Sequence, residues 1–244
     1  QTDLMTVELD ELAIIDLESS SSFYSDLDII AKKLVIDGLN FGDHRDKNMP
    51  RPQDSIKPMF KGMIDGIPVS LKIDTIQLKD VNVSYTELGE AKTEAGTIQI
   101  NDINGNITGL TTFPELQEEY QNFKVHLTAR LQDAADMKVE LQVPYDRETF
   151  AISAHIGPMD MSALSQTTKA MGGVIIESGN LSRIDLRMDA TKTSSQNSLV
   201  MDYRNLKAEV VKDNKKQKDK KQVLLSAVAN TAIRASNMPG DKKY

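Results

Sequence analysis

The side chains that could do chemistry are few and scattered. His44, His126 and His155 are the only imidazoles, and the chain has no cysteine. That excludes disulfides, thiolate metal sites and cysteine nucleophiles. His126 and His155 take the polar parity of alternating segments, which makes them surface residues rather than ligands. No carboxylates stand near them at metal-ligand spacing. There is no Gly-x-Ser-x-Gly elbow, no phosphate-binding loop and no dinucleotide fingerprint. The expectation is a non-enzymatic protein with no resident metal or cofactor.

What these sparse groups decorate is a series of alternating segments. The clearest is ESGNLSRIDLRMDAT, where Leu181, Ile184, Leu186, Met188 and Ala190 are apolar and Arg183, Asp185, Arg187 and Asp189 fill the places between. Such alternation specifies an extended strand with one oily and one charged face. The four charges read as a solvated face, in which exposed pairs stabilise by at most about 1 kcal/mol. The same pattern recurs in Phe123 to Leu131, in Met137, Val139, Leu141 and Val143, and in Phe150, Ile152, Ala154 and Ile156. It returns in Leu199, Met201 and Tyr203, then shifts parity to Leu206, Ala208 and Val210.

Upstream, Val69, Leu71 and Ile73 alternate, as do Ile76 with Leu78, and Val81 with Val83 and Tyr85. The parity change between Ile73 and Ile76 predicts a bulge or tight bend at Asp74–Thr75. Gly96 to Leu110 continues in strand with a Gly-Asn corner, and Phe113 to Gln121 reads as a loop with a helical turn. The first 50 residues are the least legible. Val7 with Leu9, and Leu12 with Ile14, hint at short strands, and Asp28 to Phe41 favours extended chain. Gly42 to Asp54, with Pro50 and Pro52, reads as a loop or linker. A helical insert is predicted over Ser162 to Met171, capped by Ser162 and stopped by Gly172–Gly173. Leu164 and Met171 would then pack across an end of the sheet.

With 244 residues, 39% hydrophobic and 27% charged, the chain can bury a sizeable core. A net charge of -7 and a pI near 5.1 argue against nucleic-acid binding, which needs a basic surface. Trp is absent and aromatics are 5%, which argues against sugars held on stacked rings. Eleven methionines make the apolar surface adaptable. No apolar run is long enough to span a bilayer as a helix. No signal peptide is legible, and a chain opening on Gln1 reads as processed or trimmed.

The region from ARLQDAADMKVELQVPYDRETF through FAISAHIGPMDMSALS, GVIIESGNLSRIDLRMDA and LVMDYRNLKAEVV resembles the C-terminal part of the AsmA family of bacterial envelope proteins, in a Bacteroidetes-like form. The resemblance covers roughly Gly96 to Val211, with a weaker echo in LKDVNVSYTE, and LLSAVANTAIRASNMPG resembles the segment that follows in these proteins. It implies a periplasm-facing protein anchored in the inner membrane through a segment outside this chain. It also implies β-sheet grooves that guide phospholipid between membranes. The chain departs from the long members in lacking an anchor helix and the long run of repeats. In a bacterial chain, the Asn-x-Ser/Thr triplets at Asn82, Asn106 and Asn180 are chance matches.

The expected fold is mainly β: an antiparallel meander of long amphipathic strands forming a curved sheet or groove. It carries one short helix insert, and a helix or a strand over Gln222 to Asn237. The expected organisation is a β segment and loop over 1–50, an AsmA-like domain over 51–211, and a Lys-rich loop and C-terminal segment over 212–244. The apolar faces admit two readings, a closed β-sandwich core or a groove partly open to acyl chains. Sparse aromatics and inward Met, Ala, Val and Ile favour the groove. Its candidate lining is Val139, Leu141, Phe150, Ile152, Ala154, Ile156, Ile184, Leu186, Met188, Ala190, Leu199, Met201 and Tyr203. The run holding Lys215, Lys216, Lys218, Lys220 and Lys221 reads as a solvated loop or as a contact for anionic headgroups, each well-placed Lys contributing about 1 kcal/mol. The expected ligand is a phospholipid or other acyl-chain lipid, with the membrane surface or another envelope protein as further partners. The rival expectation is a closed β-sandwich that binds an envelope protein and no lipid.

Overall fold

The computed structural model describes residues 3–19, 28–49, 58–90, 93–210 and 234–241. Twelve strands form one sheet that does not close. They are β1 (Asp3–Glu8), β2 (Glu11–Ser19), β3 (Asp28–Asp37), β4 (Asn40–Asp46), β5 (Ser70–Leu88), β6 (Ala95–Thr111), β7 (Asn122–Leu131), β8 (Ala135–Pro144), β9 (Thr149–Ile156), β10 (Met159–Asp160), β11 (Val174–Thr191) and β12 (Ser195–Val210). From β5 onward each long strand pairs antiparallel with the next, as the meander predicts. The alternating segments from Phe123, Met137, Phe150, Leu181 and Leu199 are β7, β8, β9, the second part of β11, and β12.

The N-terminal strands join this meander differently. β3 and β4 both pair with β5, end to end and parallel to it. β2 and β1 lie antiparallel on their outer side. The only break between β3 and β4 is at Gly38, whose φ of +67° suits glycine. The first part of the stretch read as a loop, Gly42 to Asp46, therefore belongs to β4, while Pro50 and Pro52 lie outside the described residues. Gly105–Asn106 makes no corner; both residues lie within β6.

The three helices among the described residues are short: α1 (Phe60–Asp65), α2 (Pro114–Tyr120) and α3 (Ser165–Gly172), the last led in by a 3-10 turn over Met161–Leu164. The insert begins on a different cap from the one expected. The Asp160 carboxylate, not Ser162, accepts the first orphan N–H, from Ser162. Gly173, at φ +66°, ends the insert in a left-handed cap.

A row of breaks crosses the first half of the sheet. Asp16, Lys32, Asp74 and Gly109 stand opposite one another, at a level where all three ladders skip a pair. Asp16 (φ +52°) and Gly109 (φ +74°) carry the left-handed backbone typical of bulges. Because every strand breaks together, Leu17, Ala31, Ile73 and Leu110 keep the same face as Ile14, Leu34, Ile76 and Ile107. Ile73 and Ile76 accordingly share one core cluster with Ala31, as the parity change at Asp74–Thr75 predicts. Tyr145 clamps this level: its hydroxyl donates to the Gly109 carbonyl (2.6 Å) and accepts from the Thr111 N–H (3.0 Å).

A second set of breaks lies at Gly38, Asp80 (φ +49°) and Asp102 (φ +52°), where the registers of β5–β6 and β6–β7 shift. Asp tolerates this conformation better than most residues. Side-chain amides take over the freed backbone donors, Asp80 N–H bonding to Asn104 and Asp102 N–H to Asn82. In β12, Asn205 (φ +55°) produces the parity shift read at Leu206.

Two of the four core clusters, around Ile73–Ile76 and around Val81–Ile103–Ala129, contain no helical residue. They are buried by contact between side chains of neighbouring strands. The other two clusters sit under α1 and under the 3-10 turn. No second sheet packs on the first among the described residues.

Gly105 gives a test of how closely β6 and β7 pass. A Cβ on Gly105, whose φ is +152°, would stand 2.0 Å from the His126 carbonyl oxygen, whereas one on Gly172 meets nothing within 4 Å. Gly105→Ala should cost at least about 2 kcal/mol. Gly172→Ala should stay within about 1 kcal/mol of the parent. Denaturant unfolding of the two variants measures the contrast.

Candidate functional site

The pairing register collects the candidate side chains on one face. Ile184 stands opposite Ile156 and Met201, Leu186 opposite Ala154 and Leu199, Met188 opposite Ile152, and Ala190 opposite Phe150. Ala154 continues to Val139 and Ile152 to Leu141. Tyr203 pairs with Leu181 on the same side. All thirteen residues named above therefore belong to one surface. Most are half-buried, Ala190 is buried, and Leu199, on the edge strand, is 63% exposed.

Helical elements bound this apolar strip at its two ends. At one end, Ile64 of α1 packs with Phe123, Val125, Val143 and Tyr145, and Phe60 meets Phe150 edge-on with ring centroids 5.0 Å apart. At the other, Met161 and Leu164 of the 3-10 turn pack with Ile156, Ile184 and Met201, and Met171 of α3 lies over Gly96. Between them run Leu127, Val139, Leu141, Ile152, Ala154, Leu186 and Met188. The strip is thus a single-layer apolar surface with raised ends.

Hollows open on the opposite, polar face. One, of about 210 Å³, is lined by Lys124, His126, Glu140 and Arg187. These hollows lie on the polar side of the sheet, across from the apolar strip read as the groove.

Toward the first strands the apolar face turns polar. Asp3, Arg45 and Glu87 stand in one row, with Asp43 and Tyr85 in the next. The Glu87 carboxylate accepts from Lys47 (2.6 Å) and from the Tyr85 hydroxyl (2.8 Å). The Lys47 hydrogen bond holds the Glu87 carboxyl below its ordinary range, against an opposing effect of burial. Beside it, Asp3 Oδ1, Asp43 Oδ1 and Arg45 Nε are buried without a hydrogen-bond partner. They are three of the four such atoms among the described residues. Orphaned groups gathered at one place are unusual in a folded protein.

The polar face holds the histidines. His126 is well exposed and 3.9 Å from Glu140, and His44 is exposed on β4. His155 is less isolated than its sequence position suggests. Register puts Asp185 opposite it, with Nδ1 2.7 Å from the carboxylate. That hydrogen bond, followed by burial acting the other way and by the charge of Arg183, leaves the Asp185 carboxyl below its usual range. Ser153 and Ser198 line the same hollow, of about 560 Å³. Neither hydroxyl bonds the imidazole, half of whose surface is open. A nucleophilic relay needs that contact and a set of oxyanion donors; here the pair orients the ring and anchors β9 to β11.

Arg183 bridges Asp185 (3.0 Å) and the buried Asp202 (2.7 Å), so two of the four alternating charges form a network rather than a freely solvated face. Arg187 and Asp189 are exposed, as expected. No group of three His, Asp or Glu side chains converges on a metal position among the described residues. Lys215, Lys216, Lys218, Lys220 and Lys221 lie outside the described residues, as does most of the stretch read as a helix or strand over Gln222 to Asn237. Within that stretch, Asn237 pairs with Tyr203 as extended chain.

Two measurements probe this surface. Met188 is half-buried and Leu181 is 3% exposed. Met188→Asp should therefore cost only about 1 kcal/mol, whereas Leu181→Asp buries an uncompensated carboxylate and should cost more than about 3 kcal/mol. Thermal unfolding of both variants reads the difference. Glu87, whose folded pKa is depressed, contributes stability that is fully present above the ordinary glutamate pKa of about 4.3. That contribution is lost as pH falls through the lower, folded value. The gap in stability between the parent and Glu87→Gln should be constant from neutral pH to about pH 5 and close in the acid range below it.

No protein-family model matches the chain, and no curated protein matches it.

Proposed function

We propose that this chain is a non-enzymatic, AsmA-like protein of the bacterial cell envelope that holds phospholipid acyl chains on the apolar strip of its sheet. The observation that supports this reading most is the strip itself: a long run of half-buried Val, Leu, Ile, Met and Ala with helices at both ends and no second sheet over it among the described residues. Each methylene removed from water there contributes about 0.8 kcal/mol, so an acyl chain lying along several strands gains enough to stay bound. Met188 and its aliphatic neighbours adapt to chains of different shape more readily than aromatic walls do. The polar end around Arg45, Asp43 and Asp3 offers both donors and acceptors to a headgroup. In this reading the protein faces the periplasm and supports outer-membrane lipid homeostasis by binding phospholipid or helping to move it.

The open sheet does not match the closed β-sandwich of the rival expectation, but the functional part of that rival, a module that binds an envelope protein and no lipid, predicts a different chemical content. Organic extraction of the purified chain followed by mass spectrometry should find co-purified phospholipid. Labelled phospholipid offered in vesicles should also transfer to the protein. Met188→Asp, with its fold intact by circular dichroism, should bind about tenfold less. A parent protein that carries no lipid and takes none from vesicles ends the proposal.

A further inference from the structure

The two side edges of the sheet are finished differently. Along β12, residues 235–237 pair with the outer side of the strand: Leu206 N–H bonds Ala235, and Tyr203 and Asn237 exchange backbone bonds. The stretch beyond, Ser195 to Ser198, is polar. Along the opposite edge, β1 and β2 have no outer neighbour among the described residues. Leu4, Met5, Val7, Leu12, Ile14 and Leu17 on these strands are between 48% and 64% exposed. Exposed edges are ordinarily blunted by Lys or Pro; Asp3 to Glu18 contains neither.

Register sorts these side chains by face. Met5, Val7, Leu12, Ile14 and Leu17 stand opposite Asp43, Phe41, Ile36, Leu34 and Ala31, on the apolar side of the sheet. Glu8, Glu11 and Glu18 stand on the polar side. Charge is one-signed: Asp3, Glu8, Asp10, Glu11, Asp16 and Glu18 are the only ionisable side chains from Asp3 to Glu18. Two copies of this edge laid together would set carboxylates against carboxylates, which cross-strand pairing penalises. Same-face neighbours across a ladder instead favour apolar against apolar and basic against acidic.

We propose that the β1–β2 edge is a docking site for a β-strand of another polypeptide, one that alternates apolar residues with Lys or Arg. Within the regular stretches on either side of the breaks at Leu9–Asp10 and Asp16, such a strand completes the backbone ladder, extends the apolar face, and sets its cations over the nearest of Glu8, Glu11 and Glu18.

The probe is a synthetic peptide of about ten residues alternating Leu and Lys, titrated by fluorescence anisotropy at low salt. The parent should bind it at least about tenfold more tightly than the matching Leu–Glu peptide. The triple variant Glu8→Lys/Glu11→Lys/Glu18→Lys should reverse that preference. Methylating alternate backbone nitrogens of the Leu–Lys peptide should abolish binding, since that removes its ladder donors. Hydrogen exchange on the parent supplies a readout that does not depend on the variant folding: bound peptide should slow exchange of β1 and β2 amides selectively. Equal binding of the methylated peptide would show mere charge attraction and overturn the proposal. So would indifference to peptide charge, or a concentration-dependent dimer whose formation excludes the peptide and protects the same amides.

Discussion

A one-layer sheet can keep a continuous apolar face only if strands that change parity do so at the same level as their neighbours. A bulge in one strand alone would turn every later side chain of that strand to the wrong side. Asp16, Lys32, Asp74 and Gly109 meet this constraint together, and their alignment lets Ile73 and Ile76, three residues apart, share one core cluster. Where these breaks and the second set take left-handed backbone it falls on Asp or Gly, at Asp16, Gly109, Gly38, Asp80 and Asp102, residues that bear it at low cost. Tyr145 ties the row to the meander beyond it through Gly109 and Thr111. The burial of the Ile73–Ile76 cluster and the continuity of the apolar face across β2, β3, β5 and β6 follow from these shared breaks.

The same economy explains why the strip is half-buried rather than sealed. Helices contribute to the core only at the two ends of the strands, through Ile64 on one side and Met161 and Leu164 on the other. Between those ends the side chains are sheltered by their neighbours in the sheet. The polar face is stitched instead by cross-strand charge: His155 to Asp185, Asp185 to Arg183, and Arg183 to the buried Asp202. The arrangement divides labour between the faces, with charge networks holding register on one and apolar contacts left partly available on the other.

Much of this was legible in the residues because period-two alternation is a local property. The strands around Phe123, Met137, Phe150, Ile184 and Leu199 follow it directly, and the offsets at Ile73–Ile76 and Tyr203–Leu206 announced their bulges. What was not legible depends on partners far away in the chain. Alternation carries no strand direction, so the parallel docking of β3 and β4 on β5 left no sign in the pattern. The helix α1 is six residues long and contains Gly62; it is held by Ile64 against β7 and β8 rather than by its own propensity. The pairing of His155 with Asp185 needed the register of β9 against β11, which neither strand reveals alone. The cap on the helical insert went to Asp160 rather than Ser162 because either side chain suits the position and only the backbone geometry chooses.

The parallel seam between β5 and the broken β3–β4 strand also has a kinetic consequence. From β5 to β9, and again from β11 to β12, each strand pairs with the next through a short connection, so those hairpins can close soon after their residues exist as chain. The seam is different: Asn40 bonds Asn82 across 42 residues, and a turn cannot bring parallel strands together. Closing that loop is entropically expensive until β5 already has its place beside β6. The β1–β4 unit therefore belongs to the late part of assembly, a shutter fitted to a finished frame. Changes confined to it would act mainly on how fast the protein comes apart, and those in the meander on how fast it forms.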